Sequence, residues 1–313
     1  MKRTVHALAR RGAVGFVGVV GAALAMVLSA CTIGNDVDHG AGRTDDELLP
    51  QPSIGAPAPP AAKENPAPQG SGVAPDQAGY ADDVQGALSS AVATVTSTFG
   101  GQAAVAISGQ SGEFAAGDAA GFASWSTIKV PIAIAALKEH PEMAAQAAAA
   151  IQVSDNDAAA ALWDSVTPES VEAVLAEGHS PVTVQRMKIR PEFSPFGQTQ
   201  WSVPEQARFA SHLQCVNGSQ PVLDLMAGIA ADQSYGLGTV PGARFKGGWG
   251  PSASTGAYEV RQFGLVLDQN GREVAVALAV SAADGSYESG QSMASQLAAL
   301  LVPALNIAPP AAC

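Results

Sequence analysis

Five strand-like stretches bracket a helical middle, and that placement constrains the fold more than any other feature of this chain of 313 residues. Ala103 to Ser108 and Glu113 to Ala116, separated by Gly109 to Gly112, read as the two strands of a hairpin. Near the other end, Ala243 to Trp249, Gln262 to Leu267 and Glu273 to Ser281 read as three more, with Asn270-Gly271 supplying a tight turn between the last two. Two strands early, helices between and three strands late imply a sheet assembled from both ends of the chain, an α+β arrangement.

The helical signals fill the rest. Asp82 or Asp83 can cap a helix running to about Phe99, whose Val84, Leu88, Val92 and Val95 recur at helical spacing before Gly100-Gly101 ends it. A helix from Thr127 to about Glu139 stops at His140-Pro141, and short Ala-rich helices follow. Ser202-Val203-Pro204-Glu205 has the form of a capping box opening a helix from Glu205 to about Leu213. A last helix is expected from about Ser289 to Leu301.

Upstream of residue 80 the composition changes. Lys2, Arg3, Arg10 and Arg11 precede an uncharged, mostly apolar run that ends in Leu28-Ser29-Ala30-Cys31, the layout of an export signal over residues 1–30. Leu-Ser-Ala-Cys resembles the bacterial lipobox, which implies a diacylated Cys31 as the mature N-terminus and an exterior, membrane-anchored location. An uncleaved membrane helix is the alternative, and Arg10-Arg11 leaves a twin-arginine route open. Residues 31–79 carry eight prolines and almost no large apolar side chains, so they read as a disordered tether. The folding region is therefore 80–313, a single domain.

Losing residues 1–30 removes four positive charges from a chain of net charge −12, leaving −16. A chain this acidic with no basic stripe excludes nucleic acid as a partner. Cys215 and Cys313 then remain, an even pair that suggests one disulfide in an exported protein, two free thiols being the alternative.

Three short strings carry the chemistry. Ser126-Thr127-Ile128-Lys129 puts a hydroxyl and an amine on one helix face about a turn apart, a nucleophile with its base. At a helix start, orphan backbone N–H groups beside Ser126 can hold an oxyanion. Lys129 must be neutral to act as a base, and Lys246 is the nearby cation that would depress its pKa. Ser154-Asp155-Asn156 offers a proton-relaying hydroxyl and an amide to hold substrate or Lys129; these are also the residues of turns and caps. Lys246-Gly247-Gly248 on a strand combines a charge for a carboxylate with glycines that let a substrate backbone approach. His140, His179 and His212 are scattered, and no Gly-x-Ser-x-Gly elbow is present, so neither a metal site nor a His-dependent esterase is expected, and no cofactor.

The ordered set, in the neighbourhood Phe122 to Pro131, resembles class A β-lactamases and the related penicillin-binding D,D-peptidases, over nearly all of 80–313. Phe-Lys-Gly-Gly-Trp-Gly-Pro at 245–251 is also similar to alanine-rich lipoproteins of high-GC Gram-positive bacteria. The resemblance implies an antiparallel five-stranded sheet flanked by helices, with a reduced all-helical subdomain. It makes Ser126 the acylated nucleophile, Lys129 its base, Ser154 the proton shuttle, Asn156 a substrate contact and Lys246 the electrostatic anchor. Gly248 belongs to the substrate strand, and the N–H groups of Ser126 and Trp249 would form the oxyanion hole. Arg261 would replace the arginine that binds a β-lactam carboxylate, a solvated strand-end charge being its other reading.

Three departures from that family stand out. Gly247 replaces the Thr or Ser of the third motif, the span between Ser126 and Ser154 is short, and the Glu-x-x-Leu-Asn string of the deacylating glutamate is missing. Glu192 occupies roughly the right region for that base. Two functions follow: a monomeric, lipid-anchored serine hydrolase acting on cell-wall peptides or β-lactams with slow deacylation, or a silent lipoprotein that binds wall components with the same fold.

Overall fold

The structure, a computed structural model, describes residues 75–313. The export signal, Cys31 and nearly all of the expected tether lie outside the described residues. One correction falls at this boundary: the first helix, α1, spans Pro75–Phe99, so Asp82 and Asp83 sit inside it instead of capping it. Pro75 is tolerated there because a helix's first N–H has no partner to lose.

Two strands follow, β1 (Gln102–Gly109) and β2 (Gly112–Gly117), and the chain returns at its other end as β3 (Arg244–Pro251), β4 (Tyr258–Leu267) and β5 (Glu273–Ser281). They form one sheet in the order β2-β1-β5-β4-β3, with every neighbouring pair antiparallel. β1 lies against β5, with Ala103 opposite Val280, so the early hairpin and the late meander close on each other.

Period-two alternation in β5 decides what packs on each face. Val274, Val276, Leu278 and Val280 point to one side, where they join Val84, Leu88 and Val95 of α1 and Met293, Leu297 and Leu301 of the last helix, α8 (Tyr287–Ile307). Ala275, Ala277 and Ala279 point to the other, where small side chains let helices approach closely. That second face carries α6 (Val203–His212), opened by the expected capping box: Ser202 Oγ accepts from the Glu205 N–H, and the Glu205 carboxylate accepts from the Ser202 N–H.

Between the two sheet halves lies a small helical region: α2 (Lys129–Glu139), α3 (Ala144–Gln152), α4 (Asn156–Asp164), α5 (Pro168–Glu177) and α7 (Gln220–Met226). α2 is its axis. All residues from Lys129 to Ala136 are buried, the pattern of a helix wrapped on every side. At the far end, Cys215 and Cys313 form a disulfide with Cα atoms 5.7 Å apart. The Ala312 N–H also donates to the Ser211 carbonyl at 2.9 Å, so the last residues are tied to the end of α6.

Candidate active site

Ser126 lies in a 3-10 turn, Trp125–Ile128, that runs directly into α2. Its polar neighbours are committed to holding the turn. Ser124 is buried, its N–H donating to the Thr199 carbonyl at 2.8 Å and its hydroxyl to the carbonyls of Phe196 and Gly197. Thr127, equally buried, donates to the Ser124 carbonyl and accepts from Gln206 Nε2 at 2.8 Å. Ser126 is half-buried, the least enclosed residue of the turn.

Lys129, one turn on, is 1% exposed. Its Nζ donates to the Ser154 carbonyl at 2.7 Å, Asn156 Oδ1 at 2.8 Å and the Asp155 carbonyl at 3.2 Å, with the Ser154 hydroxyl at 3.4 Å. Ser-Asp-Asn divides its work between these roles. Asp155 is the N-cap of α4, its carboxylate accepting from the Ala158 N–H at 2.7 Å, while Ser154 and Asn156 face the lysine. Ser154 adopts a left-handed backbone with φ 58°, and Trp125 does so at φ 48°. Non-glycine residues in that region are uncommon and gather where a site over-determines them.

Lys246 comes from β3 and is wholly buried. Its Nζ donates to the Ser154 hydroxyl at 3.0 Å and to the Gly247 carbonyl at 2.8 Å. One hydroxyl thus sits against two amines drawn from opposite parts of the chain. Burial pushes the Lys246 pKa well below that of an ordinary lysine, and the Lys129 charge adds to the effect. The strand lysine, read from the sequence as the cation of the site, is itself driven toward its neutral form.

Glycines bring the strand to the turn. Gly248 points at the Ser126 turn, and any Cβ there would overlap the amide nitrogens of Ser126 and Thr127. Two residues on and on the same face, Gly250 makes room for the Trp125 ring. Trp249, facing the other way, stacks on Tyr287 with ring centroids 5.4 Å apart. Gly247 is different: a Cβ there would meet nothing nearer than 3.8 Å, its closest neighbours being Gln262 and the Tyr235 hydroxyl.

Two sequence expectations need correction. Arg261 is 1% exposed, and its guanidinium spends all five N–H donors on the carbonyls of Phe122, Ala123 and Trp201 and on Gln206 Oε1. No donor is left for a substrate carboxylate, so its role is structural. Burial lowers its pKa to about 10, with Glu259 opposing the shift. Glu192 is exposed and paired with Arg190 at 3.1 Å, its pKa held below the usual carboxylate range by hydrogen bonds from backbone N–H and Arg190. Such a group is a surface ion pair, not a base aimed into the site.

Sequence reasoning missed Gln198, Gln206 and Glu259. Gln198 fastens the loop before α6 by donating to the carbonyls of Arg190, Phe193 and Ser194 while accepting from the Arg190 N–H. Gln206 links Arg261 to Thr127. Glu259 and Arg261 stand two apart in β4, a strand otherwise apolar apart from Gln262; that alternation of charges was the available signal.

No protein-family model matches the chain, and no curated protein does. Solved structures do. The extended-spectrum β-lactamase TLA-3 superposes with a TM-score of 0.59 over 71% of this chain and 99% of its own, at 12% identity. A class A β-lactamase from Bacteroides cellulosilyticus gives 0.58 over 71% and 98%, at 11% identity. An ancestral class A β-lactamase gives 0.54 over 69% and 99%, at 17% identity. At such identities the likeness is one of architecture, and this chain has the β-lactamase-like α+β fold.

Proposed function

We propose that this chain is a lipid-anchored, exported serine hydrolase of the penicillin-recognising type, acylated on Ser126 by D-alanyl peptides or β-lactams and slow to release the product. The observation that carries the reading is the Ser154 hydroxyl set between the Nζ atoms of Lys129 and Lys246, 3.4 and 3.0 Å away. Burial and the charge of its neighbour Lys129 both drive the Lys246 amine toward its neutral form. One of these two amines, in its neutral form, is the base of the reaction.

That amine takes the Ser126 hydroxyl proton as Oγ bonds to the substrate carbonyl carbon. The oxyanion is held by the N–H groups of Ser126 and of Trp249, which follows Gly248 on β3. Collapse breaks the carbonyl carbon–nitrogen bond, and the proton reaches the leaving nitrogen through Ser154. An ester on Ser126 results. Its hydrolysis needs an activated water, and Glu192, exposed and ion-paired, supports a long-lived ester.

Labelling with a fluorescent penicillin tests the reading. The native protein should become fluorescent and stay so for many minutes, and Ser154→Ala should label on the order of 100-fold more slowly. Prompt loss of label would reveal a water-activating base in place of slow release. A native protein that never labels would leave the wall-binding lipoprotein as the function. Anchoring through Cys31 is tested separately: Cys31→Ser should lose incorporation of labelled fatty acid and leave the membrane fraction.

A further inference from the structure

Phe122, Ala123 and Trp125, all within four residues of Ser126, are gripped from one strand. Glu259, 3% exposed, uses a single oxygen, Oε2, to accept both the Trp125 indole N–H at 2.8 Å and the Ala123 backbone N–H at 3.2 Å. Arg261, on the same face of β4, donates to the carbonyls of Phe122 at 3.2 Å and Ala123 at 2.9 Å. In the sheet register Glu259 is opposite Gly250 and Arg261 opposite Gly248, the two glycines whose missing side chains admit the Trp125 ring and the Ser126 amide.

Trp125 holds a left-handed backbone immediately before Ser126. A residue of its bulk stays there only where its surroundings leave no alternative. Its ring is fixed below by Gly250, at its side by Phe193 edge-on with centroids 5.2 Å apart, and at its nitrogen by Glu259. Of these restraints, Glu259 supplies the directional one. Without that acceptor a buried N–H is left unsatisfied, and the ring next to the peptide joining Trp125 to Ser126 loses the bond that orients it. The donor that would meet an oxyanion belongs to that peptide.

We propose that Glu259 is a positioning residue for Ser126, acting through the Trp125 indole to hold the strained turn in its reactive geometry. This rests on the acyl-transfer reading above. Glu259→Gln keeps the reach and an acceptor oxygen without the charge, whereas Glu259→Asp keeps the charge and withdraws it by one methylene. Acylation by a fluorescent penicillin should stay close to the native rate in Glu259→Gln. In Glu259→Asp the maximal rate should fall on the order of 100-fold, the cost of a displacement near 1 Å, with the half-saturating concentration unchanged. The Trp125 indole N–H resonance of nitrogen-labelled protein, assigned with Trp125→Phe, should shift in Glu259→Asp and change least in Glu259→Gln.

Native acylation by Glu259→Asp, or an unmoved indole resonance, would overturn the proposal. So would equal losses in both variants, which mark general structural damage. If instead the native protein is never acylated, the underlying reading fails and this one with it.

Discussion

An ideal Cβ on Gly248 would stand 2.7 Å from the backbone nitrogen of Ser126, so the edge strand and the Ser126 turn meet backbone to backbone. The Thr127 nitrogen is equally close, at 2.9 Å, and neither can yield as a flexible side chain would. Gly248→Ala must therefore push β3 from the turn. Labelling by a fluorescent penicillin should fall on the order of 100-fold, with a loss of stability of about 1–3 kcal/mol from overpacking. Stopped-flow labelling and a thermal melt read the two effects.

Gly247 sits one residue before Gly248 and has the opposite prospect. Its Cβ position has no neighbour within 3.8 Å and its backbone is not left-handed, so a Cβ fits without strain. Gly247→Thr restores the hydroxyl that class A enzymes carry in this motif. Stability should stay within about 0.5 kcal/mol of the native protein, and acylation by a carboxylate-bearing β-lactam should become several-fold faster. Titrating the labelling rate against drug concentration checks this.

Burying the Lys246 amine costs stability. Its folded pKa is lowered from 10.5, so the unfolded chain binds more protons between the depressed value and 10.5, and stability rises with pH across that window. Lys246→Met removes the desolvated amine. It should abolish acylation yet stabilise the domain at pH 7 by on the order of 1–4 kcal/mol, and the gain should shrink as pH climbs toward 10.5. Urea melts of both proteins from pH 6 to pH 10 read it.

Arg261→Met leaves the carbonyls of Phe122, Ala123 and Trp201 without a donor in the interior. A loss of about 3–5 kcal/mol is expected, the cost of breaking a buried charged network. Because the guanidinium has no donor to offer a ligand, any fall in acylation rate should be the same for a penicillin and its methyl ester. A selective loss for the free acid would show a carboxylate-binding role instead.

How far the fold is legible in the sequence depends on whether a pattern is local. Glu273–Ser281 alternates cleanly, and β5 has those bounds because large residues on one face and alanines on the other meet two different helix layers. Reading apolar runs starts the neighbouring strand at Gln262, yet β4 begins at Tyr258. Its first residues look polar because Glu259 and Arg261 bond segments more than a hundred positions away, which no window of neighbouring residues encodes. Arg261 reads as a substrate contact for the same reason. The convergence of Lys129, Ser154, Asn156 and Lys246 is legible from the order of three short motifs, whereas Glu259 shows in the sequence only as a charge two positions from Arg261, with no sign that it bonds Trp125 and Ala123.

The most direct test is intact mass spectrometry of the native domain and of Ser126→Ala after incubation with a penicillin. The native protein should gain the full mass of one drug molecule, mapped to the peptide holding Ser126, and keep it through buffer exchange, while Ser126→Ala gains nothing. An unmodified native mass at saturating drug, or an adduct that persists in Ser126→Ala, would contradict the account.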